Sequence, residues 1–454
     1  MSGTECNNYY GGRIMYMIIR ITIIKIIIVI IYNIPNIMNK INENMNYDYI
    51  DANSENSGME QLYYNFIKAN IYVDTLQKTD FFDFKLTKVN MISQIPRPEI
   101  TDRYFFPHEI QKYIDDNATY IIHYSATIAN RNVNLYFTMF NELTSNDIQS
   151  LNKRVYMIYM WIFIVNIYAK KSCSKSFVLY VYFTPFKKIL PNNQLITLNS
   201  KHVNTAYTSG CRENTETVIF RQEEWFKVFI HETFHNFGLD FSNMNMNNTD
   251  SKLNKIFNVN IEYKLYESYC ETWARIINVM FYTYNKLHNN DIVNKSRSKN
   301  SINIDKFIET FKKYMKTECM YSITQALKIL DFMNLNYKMV TSKKSSINTS
   351  VSNLYTEESS VFTYYIITGL LINNYIEFIN WCFLNNPSFL LFDKTQDSLE
   401  SYIEMIRSFK DNKHIKKNIR KVENKLLSMN DNKKLTDLDR QYIMSLRMSI
   451  IDNS

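Results

Sequence analysis

The spacing of apolar residues changes character about halfway along the chain. From about residue 60 to 220 it is mixed. ATYIIHYSATIANRNVNLYFTMFN (118–141) predicts two strands around a polar turn at Asn130–Asn132. DIQSLNKRVYMIYMWIFIVNIYAK (147–169) is long and apolar enough for a buried helix. SFVLYVYFTPF (176–186), HVNTAYTS (202–209) and TETVIFR (215–221) read as three further strands. Beyond them apolar residues recur at three and four, which predicts helices over EEWFKVFIHETFHNFG (223–238) and YKLYESYCETWARIINVMFYTYNK (263–286). Polar gaps at 289–302 and 341–360 separate further helical segments near 303–334, 358–385 and 396–450. Strands first and helices after predict an α+β core with a helical C-terminal part.

The N-terminus stands apart. RIMYMIIRITIIKIIIVIIYNIPNIM (13–38) is the most apolar stretch and a candidate membrane anchor, although Arg20 and Lys25 interrupt it and Asn33 and Pro35 close it. NKINENMNYDYIDANSENSG (39–58) is polar and aperiodic, a linker. The predicted organisation is therefore 1–58 apolar segment and linker, 59–290 mixed α+β core, and 291–454 mainly helical region.

Composition changes this picture little. Of 454 residues 46 % are hydrophobic, with 34 Tyr and 29 Phe, enough for well-packed cores. Only 7 Gly and 7 Pro, amid abundant Ile, Asn, Lys and Tyr, match the codon bias of an AT-rich genome, so richness in Ile or Asn carries little structural weight. The net charge of +8 is modest and spread out. Its one dense patch, KHIKKNIRK (413–421), reads as the solvated face of a helix, and no aromatic interleaving or zinc knuckle marks a specific nucleic-acid partner. Six cysteines without a CxxC do not read as a disulfide framework, which favours a reducing intracellular compartment, cytoplasm or virion.

The candidate chemistry lies in KVFIHETFHNFGLDF (227–241). His231 and His235 are four residues apart, so on a helix both imidazoles share a face and can point at one metal, with Glu232 beside them to take a proton from a water. With 7 His in the chain this HExxH pattern is expected by chance about 0.01 times. The plain alternative is two histidines on an ordinary helix. Val228, Phe229, Ile230, Phe234 and Phe237 make that helix largely buried, and buried histidines around a buried glutamate are costly without a partner. A zinc site needs a third protein ligand. In the longer pattern HExxHxxGxxH, Gly238 fits, but Phe241 stands at the final histidine and Asp240 comes one residue early. YESYCETWA (266–274) offers instead Glu267 and Glu271 one turn apart on a second helix, after a polar loop at 242–254.

Here the sequence resembles the gluzincin-type zinc metallopeptidases, the group that includes thermolysin and anthrax lethal factor. They combine HExxH with a glutamate ligand on a later helix, often followed by a small residue at +3 and an acid at +4. Glu267-Ser268-Tyr269-Cys270-Glu271 fits that form. The resemblance, carried by residues 170–290, implies a zincin-like core and one zinc ion held by His231, His235 and Glu267, with Glu271 bonding a ligating imidazole. Glu271, in Glu271-Thr272-Trp273-Ala274, is the alternative ligand. It also implies an edge strand with an Asn-Ala segment for extended peptide, here Asn204 and Ala206, and a downstream Tyr or His opposite the metal. Tyr364 and Tyr365 are the candidates, against their reading as buried aromatics of a core helix. The composition also resembles that of giant DNA viruses with AT-rich genomes.

The expected activity is zinc-dependent hydrolysis of a protein or peptide substrate, endopeptidase by default, with Glu232 as general base. Two rivals are a zincin-like binding protein without catalysis and a virion structural protein attached to a membrane through 13–38.

Overall fold

The computed structural model describes residues 56–77, 82–99, 105–246, 248–293, 303–342, 354–430 and 436–453. The candidate anchor 13–38 lies outside them. Among the described residues no helix is long and apolar enough to cross a membrane.

The chain opens with α1 (Ser57–Gln77) and β1 (Phe84–Lys88), neither of which the apolar spacing predicts. Four of the five β1 residues are exposed, so the strand lacks an alternation to read. There follow α2 (His108–Asn117), β2 (Tyr120–Ile128), β3 (Arg131–Met139), α3 (Ser145–Tyr168) and β4 (Ser176–Tyr182). Next come α4 (Ser200–Val203), β5 (Ala206–Thr208), β6 (Asn214–Ile219), α5 (Trp225–Asn236), α6 (Thr249–Leu253) and α7 (Leu265–Val293). The C-terminal part is helical: α8 (Ile304–Phe332), α9 (Tyr337–Thr341), a π-helical turn (Phe362–Ile367) running into α10 (Thr368–Ile372), then α11 (Tyr375–Asn385), α12 (Gln396–Lys410), α13 (Lys413–Asn430) and α14 (Asp437–Met444).

Six strands form one mixed sheet in the order β1-β2-β3-β4-β6-β5. β3, β4 and β6 are parallel, and the other three pairings are antiparallel. The β2–β3 turn falls at Ala129 and Asn130 rather than at Asn130–Asn132. Both take positive φ (49° and 66°), the two-residue geometry that matches strand twist, which releases Arg131 and Asn132 into the ladder. The predicted strand 202–209 is shorter than expected. Asn199 caps the turn of α4 through Lys201 N–H, and only Ala206–Thr208 remain extended.

One sheet face carries Ile121, Tyr182, Tyr207, Val218 and Phe220 beneath Phe106 and α2. The other is covered by α3 and α5. Trp161 of α3 stacks on Phe234 of α5, its indole N–H donates to Thr233 Oγ1 at 2.7 Å, and Phe177 of β4 packs on Phe229 and Phe237. The C-terminal helices build on α7, where buried Arg275 pairs with Glu318 of α8 at 2.7 Å. On α13, Ile415, Ile419 and Val422 are buried while Lys413, Lys417, Arg420 and Lys421 are exposed.

The cysteines depart from expectation. Cys173 and Cys211 form a disulfide, their Cα atoms 5.0 Å apart. Each lies three residues before Ser176 and Asn214, which face each other on parallel neighbours β4 and β6. Strand pairing therefore juxtaposes them, and their separation of 38 residues gives no hint of it. A structural disulfide persists in oxidising surroundings, so the cysteine count no longer argues for a reducing compartment. Cys270, Cys319 and Cys382 are free.

Candidate metal centre

Helix α5 is buried almost throughout because it lies between the sheet and α7. Its C-terminus is fixed by Gly238 at φ +69°: Leu239 N–H reaches Phe234 O at 2.9 Å and Gly238 N–H reaches His235 O at 3.1 Å. A side chain at Gly238 would stand 3.1 Å from Cys173 Sγ, so the disulfide packs directly on this cap. His231 and His235 thus project from a helix held at its end, towards the first turn of α7, which carries Glu267.

Three ligand atoms converge there. His231 Nε2 lies 3.1 Å from Glu267 Oε2, His235 Nε2 lies 3.5 Å from the same oxygen, and the two Nε2 atoms are 3.4 Å apart. A tetrahedral zinc with bonds near 2.0–2.1 Å sets its ligands about 3.3 Å apart, so the triangle has the dimensions of one face of that polyhedron. The outer partners decide which lone pairs face inward. His231 Nδ1 is 3.1 Å from Glu271 Oε2, and His235 Nδ1 is 2.5 Å from Asp240 Oδ2. A carboxylate accepts only, so in each neutral ring Nδ1 carries the proton and Nε2 presents its lone pair. Two imidazole lone pairs and a carboxylate oxygen then meet at one point, an arrangement that a divalent cation satisfies. The residues present fit the metal.

Charges around the site are paired rather than free. Lys227, one turn before His231 on α5, donates to both oxygens of Glu271 at 2.8 and 3.0 Å. Without the metal both rings are protonated and face Glu267 through Nε2: burial raises its carboxyl, but the charge of His235 and the hydrogen bonds of both imidazoles outweigh it and hold that group well below the usual range. Glu232 differs. It is only 8 % exposed, burial pushes its pKa up, and among the described residues no hydrogen bond reaches its carboxylate. It faces a cleft of about 270 Å³ that also holds the three converging side chains.

Tyr364 borders the same cleft, its ring centred 6.0 Å from that of His231 and its hydroxyl under the influence of the Glu267 carboxylate. Burial first, then the charges of Glu267 and Glu232, raise the pKa of that hydroxyl, so it stays protonated. Tyr364 sits inside the π-helical turn, a local irregularity that frequently marks working sites in helices. Tyr365 does not join it: buried in the core, it donates to Leu446 O at 2.5 Å.

Asn204 and Ala206 line the cleft. Phe220 N–H bonds Thr205 O, and Ser209 N–H points to Glu216 O, so odd-numbered residues of this segment bond β6. By alternation the backbone N–H and C=O of Ala206 and Thr208 turn outward along the free edge of the sheet. The Asn204 carbonyl is already engaged by Arg221 Nε at 3.0 Å.

Asp240 and Phe241 do not complete the longer histidine pattern. Phe241 is fully buried with its ring 4.1 Å from that of Phe392, and Asp240 stands behind His235 rather than beside Nε2. Sequence reasoning passed over Lys227, although its place four residues before His231 puts it on the same helical face. Compared with models of known protein families, with curated proteins and with solved structures, the chain matches none of them.

Proposed function

We propose that the protein is a zinc-dependent metallopeptidase with a zincin-like core, hydrolysing peptide bonds in the cleft between β5 and α5. The observation that carries the reading is the convergence of His231 Nε2, His235 Nε2 and Glu267 Oε2, oriented from behind by Glu271 and Asp240, next to a buried glutamate that takes no hydrogen bond from the described residues.

His231, His235 and Glu267 would hold the zinc, which when bound polarises a carbonyl and makes a nearby water acidic enough to attack at neutral pH. Glu232 takes the proton of the attacking water and delivers it to the leaving nitrogen. Its raised pKa suits both halves of that transfer. Tyr364 offers its hydroxyl as a donor to the oxyanion that develops on the scissile carbonyl. The outward N–H and C=O groups of Ala206 and Thr208 accept an extended peptide as an added strand. The carboxylate at 232 favours this reading over a binding protein, because a binding site alone gains nothing from burying a carboxylate that takes no hydrogen bond from the described residues.

The test is cleavage of a degenerate quenched-fluorescent peptide pool by the zinc-loaded chain, lost on chelation and restored by added zinc. Tyr364→Phe removes one oxyanion donor and leaves the zinc in place. We expect kcat to fall by roughly 10²–10³-fold with zinc content unchanged. An unchanged kcat would remove Tyr364 from the mechanism.

A further inference from the structure

The edge strand that would carry substrate is only three residues long and, among the described residues, pairs with β6 alone. Exposed Gly210 follows just beyond it, with open space around its Cα. So short a ladder does not by itself fix the distance between β5 and the helix that bears the histidines. A second support exists. Asn236, the residue after His235, is fully buried on the last turn of α5. Its amide spans the gap: Nδ2 donates to Thr208 Oγ1 at 2.6 Å and to Ser209 O at 2.7 Å, while Oδ1 accepts from Thr217 Oγ1 of β6 at 2.7 Å. The hydroxyl of Thr208 in turn donates to Glu216 O at 2.7 Å. Both N–H groups of the amide are used on the edge strand, and the one acceptor bond fixes which way the amide points.

We infer that Asn236 is a positioning residue for substrate: it sets the register of the β5 edge against His231, His235 and Glu232, and so where an extended peptide lies relative to the hydrolytic groups. The inference rests on the proposed peptide hydrolysis, but its contacts are separate from the three metal-holding side chains. Removing the amide leaves the zinc-binding triangle intact and loosens the strand beyond Ala206. A substrate long enough to lie along Thr208 and Ser209 then loses alignment, whereas one that spans only the scissile bond does not.

The test is Asn236→Leu, similar in volume but without the amide, with Thr217→Val as a companion that removes the hydroxyl bonded to Asn236 Oδ1 and to Thr208 Oγ1 and leaves both N–H groups of the amide in place. KM and kcat are measured on the degenerate extended-peptide pool and on an N-blocked dipeptide amide, with zinc content alongside. For Asn236→Leu we expect one zinc per chain, KM for the extended pool raised about tenfold, kcat within about twofold, and unchanged constants for the dipeptide amide. Thr217→Val should move the same KM in the same direction by less. Equal losses on both substrates, a fall in kcat alone, or no change in either variant would overturn the inference. Should the wild-type chain cleave no peptide, the preceding proposal fails. Direct binding of the fluorescent pool to zinc-loaded wild-type and Asn236→Leu protein then decides this one. A dissociation constant about tenfold weaker in the variant upholds it, and equal constants or no binding by the wild type overturn it.

Discussion

Glu232→Gln is expected to keep one zinc per chain and to lower kcat for peptide hydrolysis by roughly 10²–10⁴-fold, the range that a positioned general base contributes. Glutamine preserves the shape of the side chain and cannot accept the proton. Zinc retention follows because Glu232 belongs neither to the converging triangle nor to its outer partners. The same substitution relieves a buried carboxylate that no hydrogen bond from the described residues compensates. Thermal unfolding should therefore show stability unchanged or raised, the usual relation between a costly active-site group and the fold around it. Full activity in Glu232→Gln would transfer the base to another residue. Loss of zinc would mean that Glu232 is itself a ligand.

The two glutamates of α7 should separate by metal affinity and by stability. Glu271→Ala removes the acceptor behind His231 and is expected to weaken zinc binding by about 10–100-fold, the typical effect of losing an outer partner. It also leaves the ammonium of Lys227, 2 % exposed, without its counter-charge, which costs about 3–5 kcal/mol in chemical denaturation of the metal-free protein. Glu267→Ala leaves no lysine unpaired: its carboxylate faces the two imidazoles, which can give up their protons when it is removed. It deletes one corner of the triangle, so the affinity falls further than in Glu271→Ala while metal-free stability changes less. Zinc titration by competition with a chromophoric chelator measures the first quantity. Tight zinc in Glu267→Ala together with none in Glu271→Ala would assign the ligand to Glu271.

The parts of this account legible in the sequence are those governed by local periodicity. The i, i+4 histidines and the glutamates at 267 and 271 each lie on one continuous helix, so spacing alone puts them on common faces. The order of strands followed by helices was readable for the same reason. Features made by pairing distant segments were not. Cys173 and Cys211 meet because β4 and β6 are neighbours, and Asn236 is an ordinary polar residue until β5 is laid beside it. Asp240 could be noticed as a residue one place off a longer motif, but only the left-handed turn at Gly238 shows it curling back behind His235. Of the adjacent tyrosines 364 and 365, periodicity makes both core residues. Neighbours on a helix point about 100° apart, which leaves the first at the cleft and sends the second to Leu446.

The most direct test is the metal content of the purified chain and of His235→Ala, by elemental analysis after dialysis in buffers free of chelator. The account predicts about one zinc per wild-type chain and none in the variant. A wild-type chain that carries no zinc, and takes up none on reconstitution, would contradict it and leave His231 and His235 as two histidines on a buried helix.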